Sequence, residues 1–455
     1  MSQTCFRTLR KKRMGYACGI TGLTLILYLS LFQGFSLAKE LVLNTYTLDS
    51  IIHYALQNNP RIRISGKDIE TELYGIDAAR SERMPKLDFG SGAVRYRYPS
   101  PLTPISGPLG PGADFPDFER NVYDTGLFVR LPLFKGGRLY RGVRIAEMKK
   151  AVAEDTYTVN KQELVYNLSS VYYKIAQLEK LLTANEASVR QLETHRKNVE
   201  LFLKAGTVPP LDLLKTEVEL SHAKENRLLV KNSLDSAYEL LKTLMGIDDT
   251  ERKISIVHMA PSPDTLPDVE GSIGKALCQR PDYKAVEKKK MISEERIKVA
   301  QGKRFPDIYA AGEYTGRAGD SLAFKENWNV GVRLVVPVFD GGLIRSEVDK
   351  ERNELEKVKE EERLLRLVIA REVRDAHLNI ANAKERIDVT EKAIASAREN
   401  LRVELLKYDT GAGTSTDVID ARTALLRAET EYYQALYDKE AAVAYLKKAI
   451  GEDNY

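Results

Sequence analysis

Landmarks recur in order along this chain at separations of 221 and then 205 residues, so any fold it adopts must hold two copies of one unit. Ala55-Leu56 with Asn59-Pro60-Arg61 returns as Ala276-Leu277 with Arg280-Pro281-Asp282. Arg83-Met84-Pro85-Lys86-Leu87 returns as Arg304-Phe305-Pro306-Asp307-Ile308, again at an offset of 221. Pro132-Leu133-Phe134-Lys135-Gly136-Gly137 returns as Pro337-Val338-Phe339-Asp340-Gly341-Gly342 at 205, as Gly206, Asp212 and Gly246 do in Gly411, Asp417 and Gly451. The offset changes where the first copy carries an insert with six prolines between Pro99 and Pro116. The spacing predicts a first repeat over residues 39–246, a linker over 247–271 and a second repeat over 272–455.

Within each copy the dominant feature is a very long helical pattern. Residues 343–410 run for 68 positions without Gly or Pro, and residues 143–205 for 63. At 1.5 Å per residue such helices approach about 100 Å. Apolar residues return at three- and four-residue steps, as in Leu364, Leu367, Val368, Val373 and Leu378, which predicts one packing stripe. Each long helix ends at a Gly-containing turn and a helix of half the length returns, giving hairpins over 138–245 and 343–450. Residues 48–84 and 272–305 read as helical and of a length to stack end to end on the short helices, so that one long helix pairs with two short ones.

Between the helices lie strands near 87–98, 120–131, 307–316 and 327–336. Trp328, Val330, Val332 and Leu334 alternate with Asn329, Gly331 and Arg333, and Leu127, Val129 and Leu131 alternate similarly. Segments of about ten residues cross a bilayer when tilted. Tyr96, Tyr98, Tyr309, Tyr314 and Trp328 fit the interfacial aromatics of such strands. Four strands cannot close a barrel, and lipid tolerates no open edge, so strands from several chains must be pooled.

Residues 1–38 read as a secretory leader: five basic residues and no acidic ones, then the apolar run 20–32, then Ser36-Leu37-Ala38. Without them, 64 of the 69 Lys and Arg face all 65 Asp and Glu, so the formal charge of +4 belongs to the leader and no basic surface for nucleic acid is implied. Cleavage leaves Cys278 without a disulfide partner, and Cys18 precedes the apolar run, where it is badly placed for lipid attachment.

The leader, the duplicated halves, two strands per half and the long hairpins together resemble the TolC family of outer-membrane efflux and secretion ducts over essentially the whole mature chain. The most specific local matches are Ala205-Gly206-Thr207-Val208-Pro209-Pro210-Leu211-Asp212 and Gly411-Ala412-Gly413-Thr414-Ser415-Thr416-Asp417-Val418-Ile419-Asp420. The Pro-x-Phe-x-Gly-Gly segments that leave the strands are also typical. The resemblance implies a mainly α-helical fold with a membrane β-barrel. In it, a homotrimer shares one 12-stranded barrel in outer-membrane lipid, continued by an α-helical coiled-coil tunnel in the periplasm. It further implies a passive exit for substrates driven by an inner-membrane pump of the RND, ABC or MFS class, working through a periplasmic adaptor (a membrane fusion protein). No cofactor, metal or catalysis is expected. Asp417 and Asp420 match the carboxylates of the family's periplasmic constriction, and Tyr408 and Asp212 match its tip-closing contacts. Where the family carries an Arg, this chain has Gly413, which leaves Lys215 as another base for the tip.

Bland readings stand beside these. Asp417 follows Thr414 by three residues, a capping-box spacing, and Asp420 reads equally as an exposed helix carboxylate. His53, His195, His222, His258 and His377 are scattered and read as solvated or tunnel-wall residues, and Cys278 as packed. A soluble periplasmic coiled-coil adaptor or scaffold would explain the hairpins, but not the alternating strands or the Pro-rich insert.

Overall fold

A computed structural model describes residues 44–106, 115–248, 253–257 and 268–452. The leader and the middle of the Pro-rich insert lie outside the described residues. The order is β1 (Asn44–Tyr46), α1 (Leu48–Asn58), α2 (Pro60–Ser81), β2 (Lys86–Pro101), β3 (Phe118–Lys135), α3 (Arg138–Lys204) and α4 (Pro210–Met245) in the first copy. There follow β4 (Ile254–Ile256), α5 (Val269–Gln279), α6 (Pro281–Gly302), β5 (Asp307–Ala318), β6 (Lys325–Val335), α7 (Leu343–Asp409) and α8 (Ser415–Ile450).

The helices of the two copies match residue for residue in length. α1 and α5 have 11 residues, α2 and α6 have 22, α3 and α7 have 67, and α4 and α8 have 36. Glycine makes the turns possible: Gly206 and Gly411 take φ of 73° and 76° beyond the long helices. Each long helix packs against two shorter ones laid end to end, α3 against α2 and α4, and α7 against α6 and α8.

The segments read as single helices over 48–84 and 272–305 are each broken, at Asn59–Pro60 and Arg280–Pro281. Proline pushes the residue before it out of the helical region, and Asn59 and Arg280 have ψ of 125° and 124°. The breaks serve as joints. The Asn59 side chain accepts from the Arg61 and Ile62 amides and donates to the Leu244 carbonyl at 2.7 Å, tying α2 to the end of α4. Arg280 does the same in the second copy, reaching the Glu372 carboxylate at 2.6 Å and the Ala449 carbonyl at 3.2 Å.

The predicted stripe on α7 splits in two. Val373 joins Ile369, Ala376 and Ile380 in a core with α5 and α8, whereas Leu364, Leu367 and Leu378 are 62–67% exposed. One chain covers only one side of this helix. Cys278, expected to be packed, is exposed. The linker, whose fold the sequence left open, contributes β4, which pairs in parallel with β1, while the Tyr172 hydroxyl donates to the Val257 carbonyl.

The four long strands form one antiparallel sheet in the order β2-β3-β5-β6, so the halves join between β3 and β5. Residues paired across strands share a face. Trp328, Tyr314, Leu127 and Phe89 form one such row, and Val330, Gly312, Val129 and Leu87 another. The opposite face carries Asn329, Glu313, Phe128 and Asp88, then Lys325, Arg317, Asp124 and Gly92. One face is thus apolar and the other mostly polar, the alternation of a lipid-facing sheet with a wet interior. The apolar face is bare, with Val330 and Val332 75% and 68% exposed. Strands of about ten residues were expected in both copies; β5 and β6 have 12 and 11, but β2 and β3 extend to 16 and 18. Arg317, donating to Asp124 at 2.6 Å and to the Pro101 carbonyl at 3.2 Å, pins that extension. Pro99 is tolerated because it falls in the irregularity of the β2–β3 ladder between Arg95 and Ser100.

Gly246, at φ 73°, closes the joint in the first copy, where an added Cβ would lie 2.7 Å from the Asn58 carbonyl oxygen. Gly206 has the same φ with nothing within 4 Å. Gly206→Ala should therefore lose only about 1 kcal/mol of stability to backbone strain, and Gly246→Ala roughly 2–3 kcal/mol once the blocked contact is added. Thermal unfolding followed by helical circular dichroism should show the larger drop in Tm for Gly246→Ala.

Candidate functional site

The end of the molecule farthest from the sheet is built by two turns, one after α3 and one after α7, and by the starts of α4 and α8. An apolar plug of Val199, Tyr408 and Val418, with Phe202, Leu213 and Leu405 against it, holds the four helices together. Each turn is tight. The Ala412 and Gly413 amides both donate to the Lys407 carbonyl, at 2.8 and 3.0 Å. A Cβ on Gly413 would lie 2.9 Å from the Lys407 Cβ and 3.3 Å from its backbone carbon. The residue standing where the family resemblance calls for an Arg is therefore a glycine that this turn requires.

Asp417 is the third residue of α8 and completes a capping box. Its carboxylate accepts the Thr414 amide at 3.0 Å and the Thr414 hydroxyl at 2.7 Å, and its own amide donates back to that hydroxyl at 3.2 Å. These bonds, led by the Thr414 hydroxyl, hold the Asp417 carboxyl below its usual range. Asp420 lies one turn on and is exposed, with no hydrogen-bond or ion-pair partner among the described residues. The intervening Val418 and the following Ala421 are buried, so both carboxylates lie on the face of α8 turned away from its own chain's core.

Tyr408 is buried, its ring 5.0 Å from that of His195 and 5.9 Å from that of Phe202. Its hydroxyl has no hydrogen-bond partner among the described residues. Burial, with the nearby Asp212 charge as the next cause, pushes its pKa up. Asp212 is half-buried in the first turn of α4; its carbonyl accepts the Thr216 hydroxyl at 2.8 Å. Tyr408 and Asp212 are thus brought near each other without bonding within one chain. Lys215 reaches across the two hairpins, donating to the Thr416 hydroxyl at 3.2 Å.

A second link between the hairpins escaped the sequence reading. His195, expected to be solvated or on a tunnel wall, is buried on α3, with Nε2 2.9 Å from the hydroxyl of Ser415 at the start of α8. That hydroxyl is 3.3 Å from Thr216 on α4. Arg422 donates to Gln191 at 3.2 Å, with its Nε buried and without a partner among the described residues. The contacts join residues 199 to 231 positions apart. The repeat supplies no clue, since the equivalents of His195 and Ser415 in the other copy are Asn400 and Pro210.

Burial first, and the Arg422 charge second, push the His195 imidazole down from 6.5 to about 4. Between those values the unfolded chain binds the proton and the folded tip does not, so stability falls as pH drops. The loss should begin near pH 6.5 and be complete near pH 4. Hydrogen exchange at residues 195–220 and 405–425, corrected for intrinsic rates, should show protection falling across that window. In His195→Gln the trend should flatten.

Comparison with known proteins gives the same architecture. The chain is similar to the outer membrane protein TolC of Escherichia coli, 23% identical over 449 residues that cover 94% of this chain and 85% of the relative. It is also 23% identical to the solvent efflux pump outer membrane protein SrpC of Pseudomonas putida, over 88% of this chain and 84% of that one. Among solved structures, a Pseudomonas aeruginosa membrane protein superposes with a TM-score of 0.78 at 19% identity, covering 89% of this chain and 90% of the other. The Campylobacter jejuni CmeC outer membrane channel does so with a TM-score of 0.77 at 17% identity, over 89% and 85%. A family model described as outer membrane efflux protein matches residues 51–247 and 272–452, almost the whole of both repeats. The chain belongs to the outer membrane efflux protein family, and its place is the outer membrane.

Proposed function

We propose that three copies of this chain pool their strands into one 12-stranded barrel, continued in the periplasm by a tunnel of their helical hairpins. Together they form a passive exit duct for substrates that an inner-membrane pump drives through a periplasmic adaptor. In this reading residues 1–38 are a leader lost on export, residues 39–246 and 272–455 are the two repeats, and residues 247–271 link them. The pump is of the RND, ABC or MFS class, and the duct itself catalyses nothing.

The observation that carries the proposal is the four-stranded sheet with one apolar face and two unpaired edges, β2 and β6. Such a sheet is stable in lipid only when its edges are closed by further strands. A soluble coiled-coil scaffold would account for the hairpins, but it would leave the bare rows of Trp328, Val330, Val332 and Leu334 in water. The exposed Leu364, Leu367 and Leu378 on α7 likewise fit a tube in which each hairpin has a neighbour from another chain.

The helical tip is the proposed constriction. Three copies bring Asp417 and Asp420 to six carboxylates around the axis, a ring that draws cations and repels itself. The capping bonds of Asp417 use part of its charge locally, which leaves Asp420 the stronger cation site. Tyr408 and Asp212 are the proposed closing contact; the unpartnered hydroxyl of the one beside the carboxylate of the other supports it. Lys215 on Thr416 takes over part of the holding that an Arg at position 413 would supply.

Bilayer recordings of the purified protein test this directly. Asp417→Ala with Asp420→Ala should lower cation preference by roughly an order of magnitude at low salt and should remove block by divalent cations. Unchanged selectivity would take both residues out of the constriction, and a protein that forms no pores would end the duct reading.

A further inference from the structure

The Pro-rich insert of the first copy does not stand clear of the sheet. Its described ends are residues 101–106, which leave β2, and 115–117, which lead into β3; in the second copy only residues 319–324 join β5 to β6. A connection of this kind is normally solvated along its length. Here Leu102 is 6% exposed, and Pro116 on the other stem is buried as well. The Leu102 amide donates to the Asp117 carbonyl at 2.9 Å, which ties the two stems together.

The stems lean to one side. Val122 lies two residues from Asp124 and so shares the polar face of the sheet, yet it is 1% exposed. Farther in, a cavity of about 620 Å³ has Pro101, Leu102 and Pro104 on one side and Asp124, Phe128 and Glu313 on the other. These last three also belong to the polar face. The irregularity of the β2–β3 ladder between Arg95 and Ser100 supplies the bend. The stems thus arch over the face that is wet inside a barrel and leave the lipid-facing rows bare.

Each stem is held by one base from the second repeat. Arg317 on β5 donates to Asp124 at 2.6 Å and to the Pro101 carbonyl at 3.2 Å, and Lys325 on β6 is ion-paired with Asp117. Asn121 donates to Asp320 at 2.7 Å, and a Cβ on Gly319 would run into the Glu119 side chain, so the short turn of the second copy is fitted against the base of the insert. Deeper on the same face, Arg130 and Arg333 have no carboxylate partner among the described residues. Ion pairing is therefore not general to this face but gathered at the stems.

We propose that these stems form a second constriction at the outer end of the duct, one that limits the bulk of what leaves, with Arg317 and Lys325 as its positioning residues; the inference rests on the shared-barrel reading. Each copy then sends its pair of stems inward over the common lumen. The two ends of the duct select differently: the ring of Asp417 and Asp420 acts on charge, and the stems act on size. The Arg317 and Lys325 side chains are 37% and 40% exposed. Ion pairs so placed are weak and screened by salt, so the stems yield to cargo of fitting size rather than seal the mouth.

Thiol labelling from outside intact cells tests this. In the full chain with the exposed Cys278 replaced (Cys278→Ser), Glu313→Cys puts a thiol on the lumen face beneath the stems. Gels run without heating confirm beforehand that each variant assembles. A small methanethiosulfonate should react at one rate in every variant. A maleimide carried on a long polyethylene glycol chain should react slowly, and about tenfold faster once Arg317→Gln and Lys325→Gln remove both ion pairs. Lys325→Asp alone should also speed it, and adding Asp117→Lys, which restores the pair with its signs exchanged, should bring the slow rate back. A bulky reagent that enters equally fast with and without the two bases would overturn the outer constriction and leave the shared barrel standing. Failure of the exchanged pair to restore the slow rate would remove Lys325 as a positioning residue. No reaction even with the small reagent would mean that Glu313 faces no open lumen, and the barrel reading itself would fall.

Discussion

A β-strand in lipid must have every backbone amide and carbonyl paired, because the hydrocarbon offers no water to take their place. One copy of this chain meets that demand only halfway. Its duplication yields four strands, with β3 and β5 sharing an interior junction and β2 and β6 left as edges. Most of the design follows from closing that sheet. A ring of strands needs whole repeats, and whole repeats impose equal helices beneath them. The two copies accordingly keep helices of 67 and 36 residues each while their strands differ. The exposed apolar face of α7 is the helical expression of the same incompleteness.

The part of the fold that was legible in the sequence is the part that local physics decides. Glycine at φ near 75° ends helices wherever the repeat places it, at Gly206, Gly246, Gly411 and Gly451. Alternation in 328–334 needs no partner to be recognised, because strand period alone separates the faces. The break at Asn59 was open to the same reasoning, since a residue before proline avoids the helical region, but helical composition on both sides masked it. The split stripe on α7 was not legible. Leu364 and Val373 look alike in sequence, and only the position of α8 decides which of them one chain can cover. At the tip, Thr414 and Asp417 announced their capping box by spacing, whereas His195, Ser415 and Thr216 meet through the approach of three helices.

That contrast bears on how the tip works. The two hairpins are equal in length but not in bonding, because the His195–Ser415–Thr216 chain has no counterpart in the other copy. One side of the first hairpin is therefore joined to the start of α8 by buried hydrogen bonds and by Lys215, while Asp417 and Asp420 stay on the opposite, exposed face. Removing water from His195 is unfavourable unless its partners hold position, so the network favours a single arrangement of the hairpins. Gly413 completes the picture, since the turn it allows leaves no space for the longer base that the resemblance calls for. Within one chain the tip is held by packing and buried hydrogen bonds, not by a charge reaching out from the turn.

The dependence of the whole molecule on its neighbours is open to one direct measurement, the detergent-corrected native mass of the protein extracted from purified outer membranes. A mass of three chains is the expected result and means that twelve strands are present to close the barrel. A monomer recovered from the soluble periplasmic fraction would contradict it, since the open edges of β2 and β6 would then have to be satisfied by water.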